Sequence, residues 1–308
     1  MAATPIRVVI CNDDGPPNQE ESPFILPFVE HLEKKGWHVT VCLPNSQKSW
    51  IGKSMLIKDR IELSYYHRDS HEVSYHQRQA NDFVLLSGTP STCVNIALHH
   101  IFKDHSFDFV LCGPNFGRNT STPSTLSSGT IGAALEATLC RKKAIALSFP
   151  FFSRDFKMNE IQNACMMASN VIQQIYEKDN WPINGLFNIN VPLVDYDCPV
   201  HVTQFHQAYY GSLFKPLTDT NNTDNKEGVN GGSVEEQVRL ASESGNEPGR
   251  TVFKFAPNIK SMTNTNDAVP GTDAWALHNK YISVTPMIAS YEVAKLDQDY
   301  GVGSLNKL

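Results

Sequence analysis

Long apolar runs are missing from this 308-residue chain. No stretch of about 18 apolar residues is available to cross a membrane as a helix. The start, Met1-Ala2-Ala3-Thr4-Pro5, leads straight into a strand-like segment without a signal-peptide apolar core, so a cytoplasmic protein is expected. Basic excess is missing too: 26 Lys and Arg face 32 Asp and Glu, a net charge of −6, which gives no support to a nucleic-acid surface. The seven cysteines are odd in number and form no C-x-x-C pair. They read as buried free thiols in a reducing compartment, neither a disulfide framework nor a zinc site. The Gly-x-x-x-x-Gly-Lys-Ser/Thr of a P-loop, a Gly-x-Gly-x-x-Gly after the first strand and the Gly-x-Ser-x-Gly of a serine hydrolase are all absent. The histidines are scattered, and His99-His100 reads as a helix-surface pair.

What the chain does have is ordinary globular material, 41% hydrophobic and 19% charged, with length for a sizeable core. Short apolar runs at Ile6–Cys11, His38–Leu43, Phe83–Leu86, Phe107–Cys112, Ala144–Phe149 and Leu186–Val191 predict strands. Helical stripes lie between them. Val94, Ala97, Leu98 and Ile101 share one face, Ile131, Leu135 and Leu139 another, and Ile161, Cys165, Ala168, Ile172 and Ile175 a third. Ser22-Pro23 looks like an N-cap and a first-turn proline, with Pro27 then interior, so the first helix is expected to start near Pro27 or to kink there. This alternation predicts an α/β fold, Rossmann-like, with a mostly parallel sheet, helices on both faces and a C-terminal β-rich segment. The expected organisation is a core over residues 1–205, a polar flexible insertion over 206–250, a β segment over 251–290 (strands at Thr251–Phe255 and Tyr281–Thr285) and a tail over 291–308.

The most informative segment is Val8-Val9-Ile10-Cys11-Asn12-Asp13-Asp14-Gly15. A buried parallel strand stops at two adjacent carboxylates, at the strand end where open α/β sheets bind ligands. Neighbouring carboxylates repel unless a proton or a cation stands between them, and Mg²⁺ or Mn²⁺ prefers oxygen ligands. A polar Asp-Gly turn is the plainer alternative. Further polar loops follow at Pro44–Trp50, at Ser87–Pro90 and at Gly113–Asn119. Ser127-Ser128-Gly129-Thr130 opens a helix, which suits an anion through free N–H groups and the helix dipole, or only an ordinary N-cap.

Six motifs in order then carry a resemblance. Asn12-Asp13-Asp14-Gly15, Gly88-Thr89-Pro90 with Cys93, Gly113-Pro114-Asn115-Phe116-Gly117, Ser128-Gly129-Thr130, Asn188-Ile189-Asn190-Val191-Pro192, and Pro270-Gly271-Thr272-Asp273 with Tyr281–Pro286 resemble the SurE family of metal-dependent phosphatases, the survival protein E or 5′/3′-nucleotidases. Residues 6–290 are covered, the polar insertion poorly. The resemblance implies metal ligands at Asp13, Asp14, Ser49 and Asn115, with Asn12 also catalytic. It implies phosphate contacts at Asn12, Ser128, Gly129 and Thr130, a Mg²⁺ or Mn²⁺ cofactor, a nucleoside monophosphate or other phosphomonoester as substrate, and a homodimer or homotetramer. Trp50 stands where the family commonly has glycine, which leaves Ser46 a rival to Ser49. Lys48-Ser49-Trp50 and the polar insertion look closer to fungal members than to bacterial ones. Trp50, Phe116 and Tyr209 are candidates to stack on a base. Water or an aspartate would be the nucleophile, and a binding module without turnover is the second reading.

Overall fold

The computed structural model describes residues 4–216, 251–258 and 267–291. The expected insertion from 217 on and the tail from 292 on lie outside them. Alternating apolar runs give β1 (Arg7–Cys11), α1 (Ile25–Lys34), β2 (His38–Pro44), β3 (Leu63–Tyr66), β4 (Val73–Ser74), β5 (Phe83–Leu86), α2 (Pro90–Ile96), β6 (Phe109–Asn115), α3 (Ser121–Ser127) and α4 (Gly129–Leu139). They continue as β7 (Ala144–Ser148), α5 (Met158–Lys178), β8 (Gly185–Asn190), β9 (Val200–Val202), β10 (Phe214–Pro216), β11 (Phe253–Phe255), α6 (Asp273–His278) and β12 (Ile282–Ile288).

Ten strands form one sheet in the order β4-β3-β5-β2-β1-β6-β7-β8-β12-β9. The six from β5 to β8 run parallel, while β3 and β12 pair antiparallel with β5 and β8. The chain winds outward from β1 through β2 to β5, then returns to β6 on the other side of β1. That reversal opens a crevice at the carboxyl ends of β1 and β6, the place where open α/β sheets take ligands. β10 and β11 form a separate two-stranded hairpin.

Each strand feeds two cores by alternation. Val8 and Ile10 face the side of α1 and α5 with Phe24, Phe28, Leu32 and Ile172, while Val9 and Cys11 face the side of α2 and α4. On the α4 side the expected stripe is corrected. Ile131 is buried, but Leu139 is 59% exposed, and the packed face is Ala133, Ala134 and Ala137 over Ala144 and Ala146. Small residues let α4 lie close on the sheet, which bulky ones would prevent. The first helix is also corrected. It starts at Ile25, so Pro27 falls in the first turn, where an N–H has no helical partner to lose. All seven cysteines are free; Cys11, Cys42, Cys93 and Cys112 pack in the α2–α4 core, and burial pushes the Cys11, Cys93 and Cys112 thiols up, away from reactive thiolate.

Candidate active site

β1 ends in a tight turn built by Asn12. Its amide oxygen accepts from Gly15 N–H at 3.0 Å, and its amide nitrogen donates to Gly15 C=O at 2.9 Å and to Ser22 Oγ at 3.2 Å. Gly15 has φ +85°, a region that disfavours a side chain, and its Cα faces the Ser46–Gln47 backbone. Both ends of the Asn12 side chain are therefore engaged in shaping the loop, and the residue is fully buried. Its place is behind the carboxylates it positions.

The turn delivers Asp13 and Asp14, 2% and 3% exposed, to the crevice. Asp13 lies against the start of α4. The Thr130 hydroxyl donates to its carboxylate, and the nearby Gly129 and Thr130 amides favour the charged form. The helix start expected to suit an anion faces the chain's own Asp13. Gly129 is required by the close approach: a Cβ there would stand 2.8 Å from Asp13 Cβ and 3.0 Å from Lys48 C=O. The Ser128 hydroxyl caps α4 by accepting from Ile131 N–H at 3.1 Å. Asp14 accepts from Phe116 N–H at 2.7 Å, which ties it to the β6 loop.

Burial pushes both carboxyls above the usual range, against the donors that pull Asp13 down. The Asp13 charge raises Asp14 further, well above the ordinary value. Among the described residues no Lys, Arg or His forms an ion pair with either aspartate. Asn115, at the end of β6, is 8% exposed, and its side-chain amide has no hydrogen-bond partner among the described residues. From the β2 loop, Lys48 N–H reaches Asp13 C=O at 2.6 Å, which draws Ser49 into the same region. The half-buried Ser49 accepts from Gln47 Nε2 at 2.9 Å, whereas Ser46 is exposed and turns to its neighbour Asn45 at 3.4 Å.

These features suit a hard divalent cation. Two unneutralised buried carboxylates, an orphaned amide and a serine hydroxyl make an all-oxygen donor set. Among the described residues no three His, Cys, Asp or Glu side chains are spaced to cage a metal. The donors here are instead two acids with neutral oxygens.

The proposed base stackers separate. Phe116 stacks on Phe151 at 4.8 Å and packs edge-on against Phe24 at 5.4 Å, so its ring is a core contact. Trp50, with φ +63°, meets Phe255 at 5.2 Å and Tyr210 at 6.4 Å beside the β10–β11 hairpin. Tyr209 is 88% exposed. Asp273, named in the sequence only as part of the Pro270-Gly271-Thr272-Asp273 motif and given no role there, accepts from the Ser121, His206 and Ala274 amides and so fastens the segment after Asn119 to the C-terminal part of the chain. Its Thr-Asp context, an N-cap before Trp275, was the available signal.

A mostly parallel sheet with helices on both faces and two buried aspartates at its switch point defines an α/β protein of the doubly wound class. The family model described as "Survival protein SurE" matches residues 8–212, and the chain belongs to the SurE family. It is 31% identical to "Probable tubulin--tyrosine ligase PBY1" of Saccharomyces cerevisiae, over 93% of this chain but 41% of that protein. It is 29% identical to "5'-nucleotidase SurE" of Petrotoga mobilis, over 70% of this chain and 78% of that one. The SurE protein crystal structure from Aquifex aeolicus superposes with a TM-score of 0.64 at 22% identity, covering 93% of this chain and 94% of the other, and so shares the fold. No helix among the described residues is long and apolar enough to cross a membrane.

Proposed function

We propose that this chain is a metal-dependent phosphomonoesterase acting on nucleoside monophosphates, at the 5′ or 3′ position, and on other phosphate monoesters. The observation that carries the reading is the Asp13–Asp14 pair, buried together with no counter-charge among the described residues. Asp13, Asp14, Asn115 and Ser49 would hold Mg²⁺ or Mn²⁺. The cation would supply positive charge opposite the phosphoryl oxygens. The Thr130 hydroxyl holds Asp13 in one orientation, Phe116 N–H holds Asp14, and both carboxylates are buried. The Petrotoga relative's name supports nucleotidase activity; the yeast relative's name belongs to a protein of which this chain spans 41%, and supports no ligase here. A homodimer or homotetramer in a reducing, cytoplasmic setting fits the free cysteines.

The test is phosphate release from a panel of mononucleotides, sugar phosphates and an aryl phosphate, with Mn²⁺, with Mg²⁺ and with chelator. Release from mononucleotides that chelator abolishes is expected. Comparable rates on every ester would make it a broad-specificity acid phosphatase, and no metal-dependent release from any of them would leave a binding module.

A further inference from the structure

The loop that carries Asn115 also holds an arginine with no counter-ion. Three described arginines are half-buried. Arg68 grips Glu33 with two hydrogen bonds of 2.7 and 2.8 Å, and Arg7 pairs with Asp108 at 3.6 Å. Arg118 has no ion pair, hydrogen bond or aromatic face among the described residues. Burial alone lowers its hold on the proton, and no neighbouring charge acts on it. None of its nitrogens is sealed from solvent, whereas Arg7 Nε is. A solute can therefore reach the guanidinium.

The backbone presenting Arg118 is fixed. Its neighbour Asn119 donates through N–H to Asn190 Oδ1 at 2.9 Å and through Nδ2 to Ser148 Oγ at 3.0 Å. The Asn119 carbonyl accepts from Asn188 and Asn190 at 2.8 and 3.2 Å. An anchored, partly desolvated guanidinium without an anion is unfavourable unless an anion arrives. Its planar fork matches two phosphate oxygens.

We propose that Arg118 binds the substrate's phosphate, donating to its non-bridging oxygens. This rests on the phosphatase reading above. No ion pair joins Arg118 to Asp13 or Asp14 among the described residues; an arginine paired with them would be neutralised and would displace the cation they are read to hold.

Calorimetric titration tests it, with inorganic phosphate added to Mn²⁺-loaded wild type, Arg118→Gln and Arg118→Lys, and with Mn²⁺ titrated into each. Phosphate affinity should fall about 10- to 100-fold in Arg118→Gln and recover in part in Arg118→Lys, while Mn²⁺ affinity stays constant. In phosphate-free buffer Arg118→Gln should melt at or above wild type, because it removes an unpaired charge. A melting point well below wild type would mark a structural arginine and overturn the proposal. Equal phosphate affinity in Arg118→Gln and wild type would overturn it and leave the phosphatase reading standing. A wild type that binds neither Mn²⁺ nor phosphate would sink both.

Discussion

At the β3 margin of the sheet, Asp82 is buried among partners the chain supplies; at the centre, Asp13 and Asp14 are buried without a counter-charge. Asp82 accepts from the His67 ring at 2.9 Å and from the Arg78 and Gln79 amides at 2.8 and 2.9 Å. The far nitrogen of His67 meets Ser74 Oγ at 2.8 Å. Burial alone would raise Asp82, but these donors outweigh it and hold the carboxyl below the usual range. The connectivity Ser74–His67–Asp82 is that of a hydrolase triad, yet the Ser74 hydroxyl donates to His76 C=O at 3.0 Å, and the set acts as a clasp on the β3–β4 hairpin. Burial is common to both centres; what differs is that, among the described residues, a basic side chain meets Asp82 and none meets the aspartate pair. A carboxylate answered from within stabilises the fold, and a pair left unanswered is poised for a ligand.

Substitutions can break this contrast, the largest effect first. Asp13→Asn should lower metal-dependent phosphate release about a thousandfold with the far-UV circular dichroism unchanged, since it removes charge from the cation site. Wild-type turnover in that variant would end the assignment. Gly129→Ala should reduce turnover and cost about 1–3 kcal/mol in urea unfolding, because the added methyl enters the space of Asp13 and Lys48 C=O. His67→Ala should cost about 3 kcal/mol of stability by leaving Asp82 buried without its side-chain partner, with turnover per folded molecule unaltered. A fall in kcat would mean that the margin belongs to the site after all.

The two centres should also respond to pH with opposite slopes. Asp82, depressed in the fold, contributes stability that is complete above its unfolded value of 3.8 and is lost as pH falls through the lower folded value. Asp14 is raised, so the cation-free protein is favoured at low pH and loses stability as pH climbs from 3.8 through the higher folded value. In chelator near neutral pH, Asp14→Asn should therefore melt above wild type, by about 2–4 °C if about 1 kcal/mol is relieved. Added Mn²⁺ should raise the wild type and not the variant; a lower melting point for Asp14→Asn in chelator would contradict the frustrated-pair reading. The smallest difference sharpens the ligand set: Ser49→Ala should weaken Mn²⁺ binding about tenfold and Ser46→Ala should not, with the reverse outcome assigning Ser46.

The parallel core was legible because each of its strands is a continuous apolar run bounded by polar loops, as at Val8–Cys11 and Ala144–Ser148. β3, β4 and β9 were missed because Leu63–Tyr66, Val73–Ser74 and Val200–Val202 are too short to show a period. α3, Ser-Thr-Pro-rich, carries no apolar stripe, and α6, at six residues, is too short to show one. Asp13 and Asp14 could be singled out since adjacent carboxylates at a parallel strand end have few structural reasons to be there, whereas Asn115 was picked out by the resemblance of its loop to the family motif. The engagement of Asn12 in its own turn, the contact of Gly129 with Asp13 and the isolation of Arg118 depend on distances between segments far apart in sequence, which no local pattern records.

Asp273 carries a consequence for the order of assembly. It receives the Ser121 amide across 152 residues of chain, and β12 enters the sheet between β8 and β9. Contacts of such separation close late, after the local helices and strands have formed. On a ribosome, the loops bearing Asp13 and Asn115 emerge long before the residue that fastens the segment after Asn119. The crevice is thus completed only when the last quarter of the chain has been made, and a nascent fragment could bury its core while its ligand site is still unfinished.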